Sequence, residues 1–307
     1  MGRLYKIAME PLLAVLAGLR LHNLSDPIDF IEFFSGDKSI SDGLTGFGLS
    51  GYSFDKRYSD LNDLLLPKGF ALAASLALLV RPGGIVWLAP PCSSWVFLSR
   101  HSTKRSKTSP LADPPRHWNV ICNNRLVSRM SLLLELLKRR GVHYVIEQPR
   151  SSLMFEHPRL ARVLAKHKAE RVNCDLGCFG AETLKPVMFV GTAPYLAKLG
   201  VVAGSSLRKR LQTKTAGKKT GIVYFDKRGK KRVVGSKLLK KTQSYPAGLG
   251  LALGLAMQEH GMPGRSRPRN AVGDADSDSG SSCDGGYCSD HDCLADVESW
   301  EPKWVCK

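Results

Sequence analysis

Acidic residues are scarce in this chain of 307 residues: 27 Asp and Glu stand against 45 Lys and Arg, a formal net charge of +18. Such an excess is extreme for an enzyme of small metabolites and predicts attraction to a polyanion, with nucleic acid the natural partner. Cysteine is thin as well. Of the eight, four precede residue 280 (Cys92, Cys122, Cys174 and Cys178) without a regular framework, so a reduced intracellular compartment is expected rather than a secreted disulfide scaffold. Cys174 and Cys178 lack a second pair within reach, which argues against zinc, and no metal is expected. No apolar run reaches the length of a membrane span, and no membrane partner is expected. Residues Pro11 to Leu19 are apolar but follow Glu10 and precede no evident cleavage site, so residues 1–26 are expected to form an amphipathic helix rather than a signal peptide.

What is present is enough for a core. An apolar fraction of 43% supports one large α/β domain with a smaller appended segment. The organising stretch is Gly83-Gly84-Ile85-Val86-Trp87-Leu88-Ala89-Pro90-Pro91-Cys92, a β-branched and aromatic run closed by two prolines, which predicts a buried parallel strand. Such a strand delivers Cys92 at its carboxyl end, the edge where ligands gather in open α/β sheets. Taken alone, a cysteine there reads more readily as a small buried hydrophobe. A second run, Val142 to Ile146, ends in Glu147-Gln148-Pro149, and a helix between the two strands would bring Glu147 to the same edge as Cys92.

The remaining pattern alternates in the same way. Pro27 to Gly36 predicts a first strand and tight turn, with a helix near Ile40 to Leu44. Gly48 to Phe54 predicts a second strand ending in Asp55, placed either to accept hydrogen bonds from ribose hydroxyls or as a solvated turn residue. Helices are expected over Gly69–Val80, over Val127–Arg140, and from a serine cap at Ser151 to Lys168. Strands are expected within Arg171–Gly180 and Phe179–Gly191. Between Val96 and Asn119 lies a long polar loop with Arg100, His101, Lys104, Arg105 and Lys107, readable as functional or as a loose basic surface.

From Arg208 to Lys241 fourteen Lys or Arg accompany one acid, Asp226. Within this window Ile222–Phe225 and Arg232–Val234 flank a glycine-bearing turn. They predict a hairpin that offers Lys227, Arg228, Lys230, Lys231 and Arg232 to phosphates. A helix over Ala247–His260 is expected to return to the first strand. From Asp274 onward nine acids oppose two lysines, which predicts a disordered acidic tail over residues 263–307. Cys283, Cys288, His291 and Cys293 in that tail match no zinc-finger spacing.

Pro-Cys after one strand and Glu-x-Pro after the next resemble the cytosine-C5 DNA methyltransferase family, of which the chain looks like a divergent member. The resemblance covers most of residues 28–260 and implies a Rossmann-like fold binding S-adenosylmethionine. It implies that 27–195 with a closing helix at 244–262 is catalytic, and that 196–243 is the basic target-recognition segment. The first-strand turn matches the family's at Phe34 and Gly36; Glu32 stands for an aspartate, while Lys38 and Ser39 replace later glycines and threaten to narrow the pocket. Phe34, Ser35, Gly36, Asp55, Asp63 and Pro90 are the implied cofactor-binding residues, with Asp63 at the adenine. Cys92 is the implied nucleophile on C6 of an extruded cytosine and Glu147 the acid at N3. Lys185 stands where the family has a glutamine and paired arginines. The loop after Cys92 is implied to close over the base, with Arg100, Lys104 and Arg105 on nucleic acid. The thiolate is expected to have a depressed pKa from neighbouring Lys and Arg. DNA, and with it a nuclear location, is favoured over RNA. A catalytically silent nucleic-acid-binding protein of the same fold, or an RNA cytosine methyltransferase, stays open, and the oligomeric state is undetermined.

Overall fold

The computed structural model describes residues 27–112, 117–216, 221–235 and 244–261. The expected N-terminal helix and the acidic tail with Cys283, Cys288, His291 and Cys293 lie outside the described residues, as do residues 113–116 of the polar loop.

The chain forms an α/β structure around a mixed six-stranded sheet. Its strands are β1 (Ile28–Phe33), β2 (Gly51–Phe54), β3 (Val80–Leu88), β4 (His143–Pro149), β5 (Glu170–Asp175) and β6 (Pro186–Gly191), in the spatial order β2-β1-β3-β4-β6-β5. β1 to β4 run parallel, and β6 is antiparallel to both of its neighbours. Besides a four-residue helix at Arg100–Thr103, the helices are α1 (Ser39–Gly46), α2 (Pro67–Leu79), α3 (Trp118–Arg139), α4 (Pro158–Lys166), α5 (Ser205–Lys214) and α6 (Ala247–Glu259). A separate hairpin joins β7 (Gly221–Phe225) to β8 (Lys231–Gly235). Among the described residues no helix is long and apolar enough to cross a membrane.

Both faces of the sheet are covered, which is why the central strands read as unbroken apolar runs. Alternate residues divide between two cores. Ile31, Phe33, Val86, Leu88 and Ile146 face the leucines and alanines of α2 and α3. Phe30, Ile85, Trp87, Val145 and Phe189 face α1 and α6. The irregular start of β3 has a local cause: Gly83 adopts φ +80°, and the pairing jumps from Ile28↔Val80 to Phe30↔Ile85. Strand pairing is regular from there to Leu88.

Winding order then places the crevice. The chain leaves β1 for β2 on one side and returns across β1 to β3 on the other, so its direction reverses between β1 and β3. At such a reversal the loops from two carboxyl ends diverge and leave room for a ligand. The loops in question are the turn Phe34–Lys38 and the segment Ala89–Trp95 that carries Cys92.

Three features differ from the sequence reading, the first being that the helix expected from Val127 begins already at Trp118, where the long polar loop was expected to continue. The helix expected from a serine cap at Ser151 begins instead at Pro158, after a short 3₁₀ turn at Met154–Glu156. Proline has no N–H to leave unsatisfied and its fixed φ suits the first helical position, as it does for Pro67 in α2. The closing helix α6, expected on the first strand, packs chiefly on α1. Gly250 lies against the backbone of Ser39 and Gly43, an approach that leaves no room for a Cβ. Replacing Gly250 by Val should therefore cost about 1–3 kcal/mol by overpacking, read as a lower urea midpoint with unchanged slope. An unaltered midpoint would mean the two helices separate freely.

Candidate active site

Strand pairing alone does not hold the two motif loops together, because Pro90 and Pro91 have no N–H to donate. A side chain replaces the missing donor. Gln148, fully buried, donates through Nε2 to the Pro90 carbonyl at 2.7 Å, and its Oε1 accepts from Ser152 Oγ at 2.9 Å. This amide ties the loop bearing Cys92 to the strand end bearing Glu147. Pro90, expected at the cofactor, is buried and its carbonyl accepts from Gln148.

Beyond Cys92 the chain turns tightly, with Trp95 N–H donating to the Cys92 carbonyl at 2.8 Å. Trp95 is fully buried, and the Arg105 guanidinium lies 3.3 Å from its ring centroid. Arg105 also donates to Asn124 Oδ1 at 2.8 Å, to the Pro110 carbonyl at 2.5 Å, and to Ser94 Oγ and the Val120 carbonyl at 3.3 Å each. Expected on nucleic acid, Arg105 is instead 2% exposed, and burial pulls its pKa down to about 10. It is an internal strut fastening the loop to α3. Arg100 is partly committed too, donating to the Ser151 carbonyl at 3.1 Å and stacking on Phe97. Lys104 is exposed, and Phe97 and Leu98 project at the tip, 68% and 62% exposed.

Cys92, Glu147 and Lys185 meet at this edge. Glu147 is 7% exposed; its Oε2 accepts from the Tyr245 hydroxyl at 2.7 Å, and its Oε1 has no partner among the described residues. Burial pushes its carboxyl above the usual range, against the opposing pull of Lys185 and of the Tyr245 hydrogen bond. The depressed thiol expected for Cys92 is not found. Burial first, and then the neighbouring Glu147 charge, push it up to about 11, with Lys185 acting in the opposite sense. Burial thus shifts both groups toward their protonated forms. Lys185 has φ +36° and places Nζ 5.3 Å from the centroid of the Tyr245 ring.

On the other side of the crevice, Phe34, Ser35 and Gly36 form the turn after β1, with Phe34 at φ +60° and Gly36 at φ +55°. Glu32 does not face this turn. Fully buried, it accepts from the N–H and Oγ of Ser41 at 2.8 and 2.6 Å, capping α1, whose own N-cap residue offers no side-chain bond. Desolvation outweighs those bonds and raises its pKa to about 7. Asp55 accepts from Gly36 N–H through Oδ2 at 2.9 Å and from Arg57 N–H through Oδ1 at 2.8 Å, so it fixes the turn and keeps further lone pairs. Lys38 adopts the left-handed conformation that glycine would, at φ +61°, and folds its ammonium 4.8 Å from the Tyr58 ring centroid. Asp63 accepts from Leu65 N–H at 2.8 Å in the turn before α2, a local structural bond.

Asp55 and Arg57 place an acceptor and a donor beside this turn. A Cβ on Gly36 would meet Arg57 Nη2 at 2.9 Å, the mobile end of a side chain rather than backbone. That guanidinium is held across the turn by Asp37 at 3.2 Å, in a pair more than half exposed on both sides. Such a pair is worth about 0–1 kcal/mol, so a ligand carboxylate would take Arg57 over at little cost.

The hairpin spends its one acid on its own turn. Asp226 accepts from the N–H groups of Arg228 and Lys230 at 3.0 and 2.9 Å, with Gly229 at φ +70°, which leaves Lys227, Arg228 and Lys230 exposed. Lys231 and Arg232 open β8 opposite Phe225 and Tyr224. The four apolar residues Ile222, Val223, Tyr224 and Phe225 are exposed as well.

Two residues of the site escaped the sequence reading. Gln148 follows Glu147 directly, and a buried amide beside two prolines was its available signal. Tyr245, distant in sequence, had none. The coupling of Cys92 to Glu147 has a direct consequence: Glu147→Gln removes the charge that raises the thiol, so the pH midpoint of Cys92 alkylation by iodoacetamide should fall below that of the parent. An equal or higher midpoint would show that the two groups do not interact. No family model matches the chain and no curated protein matches it, so the chemistry of the site rests on its own geometry.

Proposed function

We propose that the protein is an S-adenosylmethionine-dependent cytosine-C5 methyltransferase acting on DNA, built on a Rossmann-like methyltransferase fold. One observation carries this reading: Cys92, Glu147 and Lys185 meet at the carboxyl edge of the sheet, across the winding reversal from a turn formed by Phe34, Ser35, Gly36 and Asp55. S-adenosylmethionine, when bound, supplies an activated methyl group. Asp55 would hold its ribose hydroxyls, and Arg57 with the Gly36 turn its carboxylate.

The protein's own groups handle the base. Cys92 sulfur adds to C6 as thiolate while Glu147 gives its proton to N3, so that the charge brought by the thiolate is neutralised on the ring. C5 becomes nucleophilic enough to be methylated. Loss of the C5 proton to a base, cleavage of the sulfur–C6 bond and return of the N3 proton to Glu147 then restore the thiolate, the acid and a neutral ring. A protonated Glu147 and the Lys185 ammonium both favour that thiolate, the first by removing a neighbouring negative charge and the second by adding a positive one. Keeping the site dry strengthens each effect.

Binding falls to the hairpin and the exposed loop. Lys227, Arg228 and Lys230 suit phosphates, and the apolar side chains beside them suit bases. One observation favours a silent nucleic-acid-binding protein instead, namely Lys38 and Ser39 standing where the resemblance places glycines. Equilibrium binding of labelled S-adenosylmethionine separates the two readings.

Cys92→Ala should abolish methyl transfer and covalent trapping on 5-fluorocytosine DNA, and Glu147→Gln should lower the rate about 10²–10⁴-fold. Activity near the parent's in either variant would remove that residue from the chemistry. Independently of catalysis, changing Lys227, Arg228 and Lys230 to Ser should make the slope of log affinity against log salt shallower by roughly 0.9 per lost phosphate contact. Fluorescence anisotropy of a labelled duplex reads this, and an unchanged slope would move the nucleic-acid surface elsewhere.

A further inference from the structure

Glu147 does not meet its neighbours symmetrically. Its Oε2 accepts from Tyr245 at 2.7 Å, whereas Oε1 is buried and has no partner among the described residues. The Tyr245 oxygen in turn accepts from Trp87 Nε1 at 3.5 Å. An indole N–H is a donor and never an acceptor, so the direction of this chain is set at its far end. Trp87 gives to Tyr245, and Tyr245 is left to give its own hydrogen to Glu147. An unpaired buried oxygen is destabilising unless something else meets it.

We propose that Tyr245 is a positioning residue that fixes Glu147 with its Oε2 turned inward and its Oε1 presented to the reacting base as the proton-carrying oxygen. A carboxyl that accepts a hydrogen bond on one oxygen carries its proton on the other. The atom left for the substrate is thus the one with no protein partner. Burial holds the Tyr245 phenol well above its usual pKa, so it keeps the hydrogen that it donates.

The same residue reaches the opposite wall of the crevice. The Tyr245 carbonyl accepts from Ser39 Oγ at 3.0 Å, at the first residue of α1, and Ser244 Oγ donates to Asp37. Asp37 also pairs with Arg57, the side chain across the Gly36 turn. Residues 244–245 therefore form a strap between the turn that would meet the cofactor and the acid that would meet the base. Orientation of Glu147 is tied to the conformation of that turn.

The inference rests on the methyltransferase reading for the identity of the base, but its first test does not. Four titratable groups surround or couple to Glu147: Cys92 after β3, Lys185 before β6, Cys174 on β5 and Tyr245 before α6. Tyr245→Phe changes one hydrogen bond and keeps the ring that packs on Trp87, with centroids 6.1 Å apart. In protein labelled with ¹³C at the glutamate carboxyl carbons, the Glu147 signal is assigned by its loss in Glu147→Gln. In Tyr245→Phe its titration midpoint should move up by about one pH unit, the size of one lost hydrogen bond to a carboxylate. A midpoint that stays or falls overturns the proposal, and a thermal scan of both proteins establishes that the variant is folded.

Methylation assays add a second readout. Tyr245→Phe should lower kcat at least about tenfold while KM for DNA holds, since an acid misaligned at the transition state does not weaken phosphate contacts. A rise in KM at constant kcat would likewise overturn the positioning role. If the parent transfers no methyl group and traps no 5-fluorocytosine, the proposed function fails while the carboxyl titration still decides whether Tyr245 orients Glu147.

Discussion

The site depends on one buried amide. β3 and β4 pair up to Leu88↔Ile146, and beyond that register the prolines at 90 and 91 leave the Cys92 loop without ladder donors. Gln148 supplies the donor from a side chain, and Ser152 satisfies the other end of the same group. A fully buried amide is stable here only because both ends are bonded. Any movement of the Cys92 loop away from Glu147 would leave that amide unsatisfied, so the separation of the two candidate chemical groups is fixed by a hydrogen bond that belongs to neither.

Around this clamp, burial disfavours charge. Cys92 and Glu147 lie close enough for the carboxylate charge to raise the thiol, and burial raises both. Desolvation disfavours the charged form of each group, and a charge on one disfavours a charge on the other. Lys185 opposes this at both positions. A group entering the crevice that stabilises the thiolate would shift this balance, because a thiol with a raised pKa is a poor nucleophile.

Fastening of the loop by Arg105 shows where charge is a poor guide. In sequence Arg105 lies among Arg100, Lys104 and Lys107 and looks like one more surface cation. Its environment comes from Trp95 on one side and from Val120 and Asn124 of α3 on the other. Arginine tolerates such burial because its planar guanidinium stacks on a ring while its edge donates to several acceptors. Lys38 is the reverse case. It stands where a side chain threatened the pocket, yet it takes up the backbone conformation of a glycine and lays its ammonium over Tyr58.

By itself the amino-acid sequence determined the strands, the helices between them, and the delivery of Cys92 and Glu147 to one sheet edge. Apolar periodicity and proline stops act between near neighbours in the chain, and these features follow from them. The hairpin is local in the same sense, since Asp226 and Gly229 build its turn from within. Tertiary structure alone decided the partners. Gln148 finds Pro90 58 positions away, Tyr245 finds Glu147 across 98, and Ser39 finds the Tyr245 carbonyl across 206. No periodicity encodes such meetings. They follow from the winding order of the sheet and the close packing of α6 on α1, and they set the surroundings of Cys92 and Glu147.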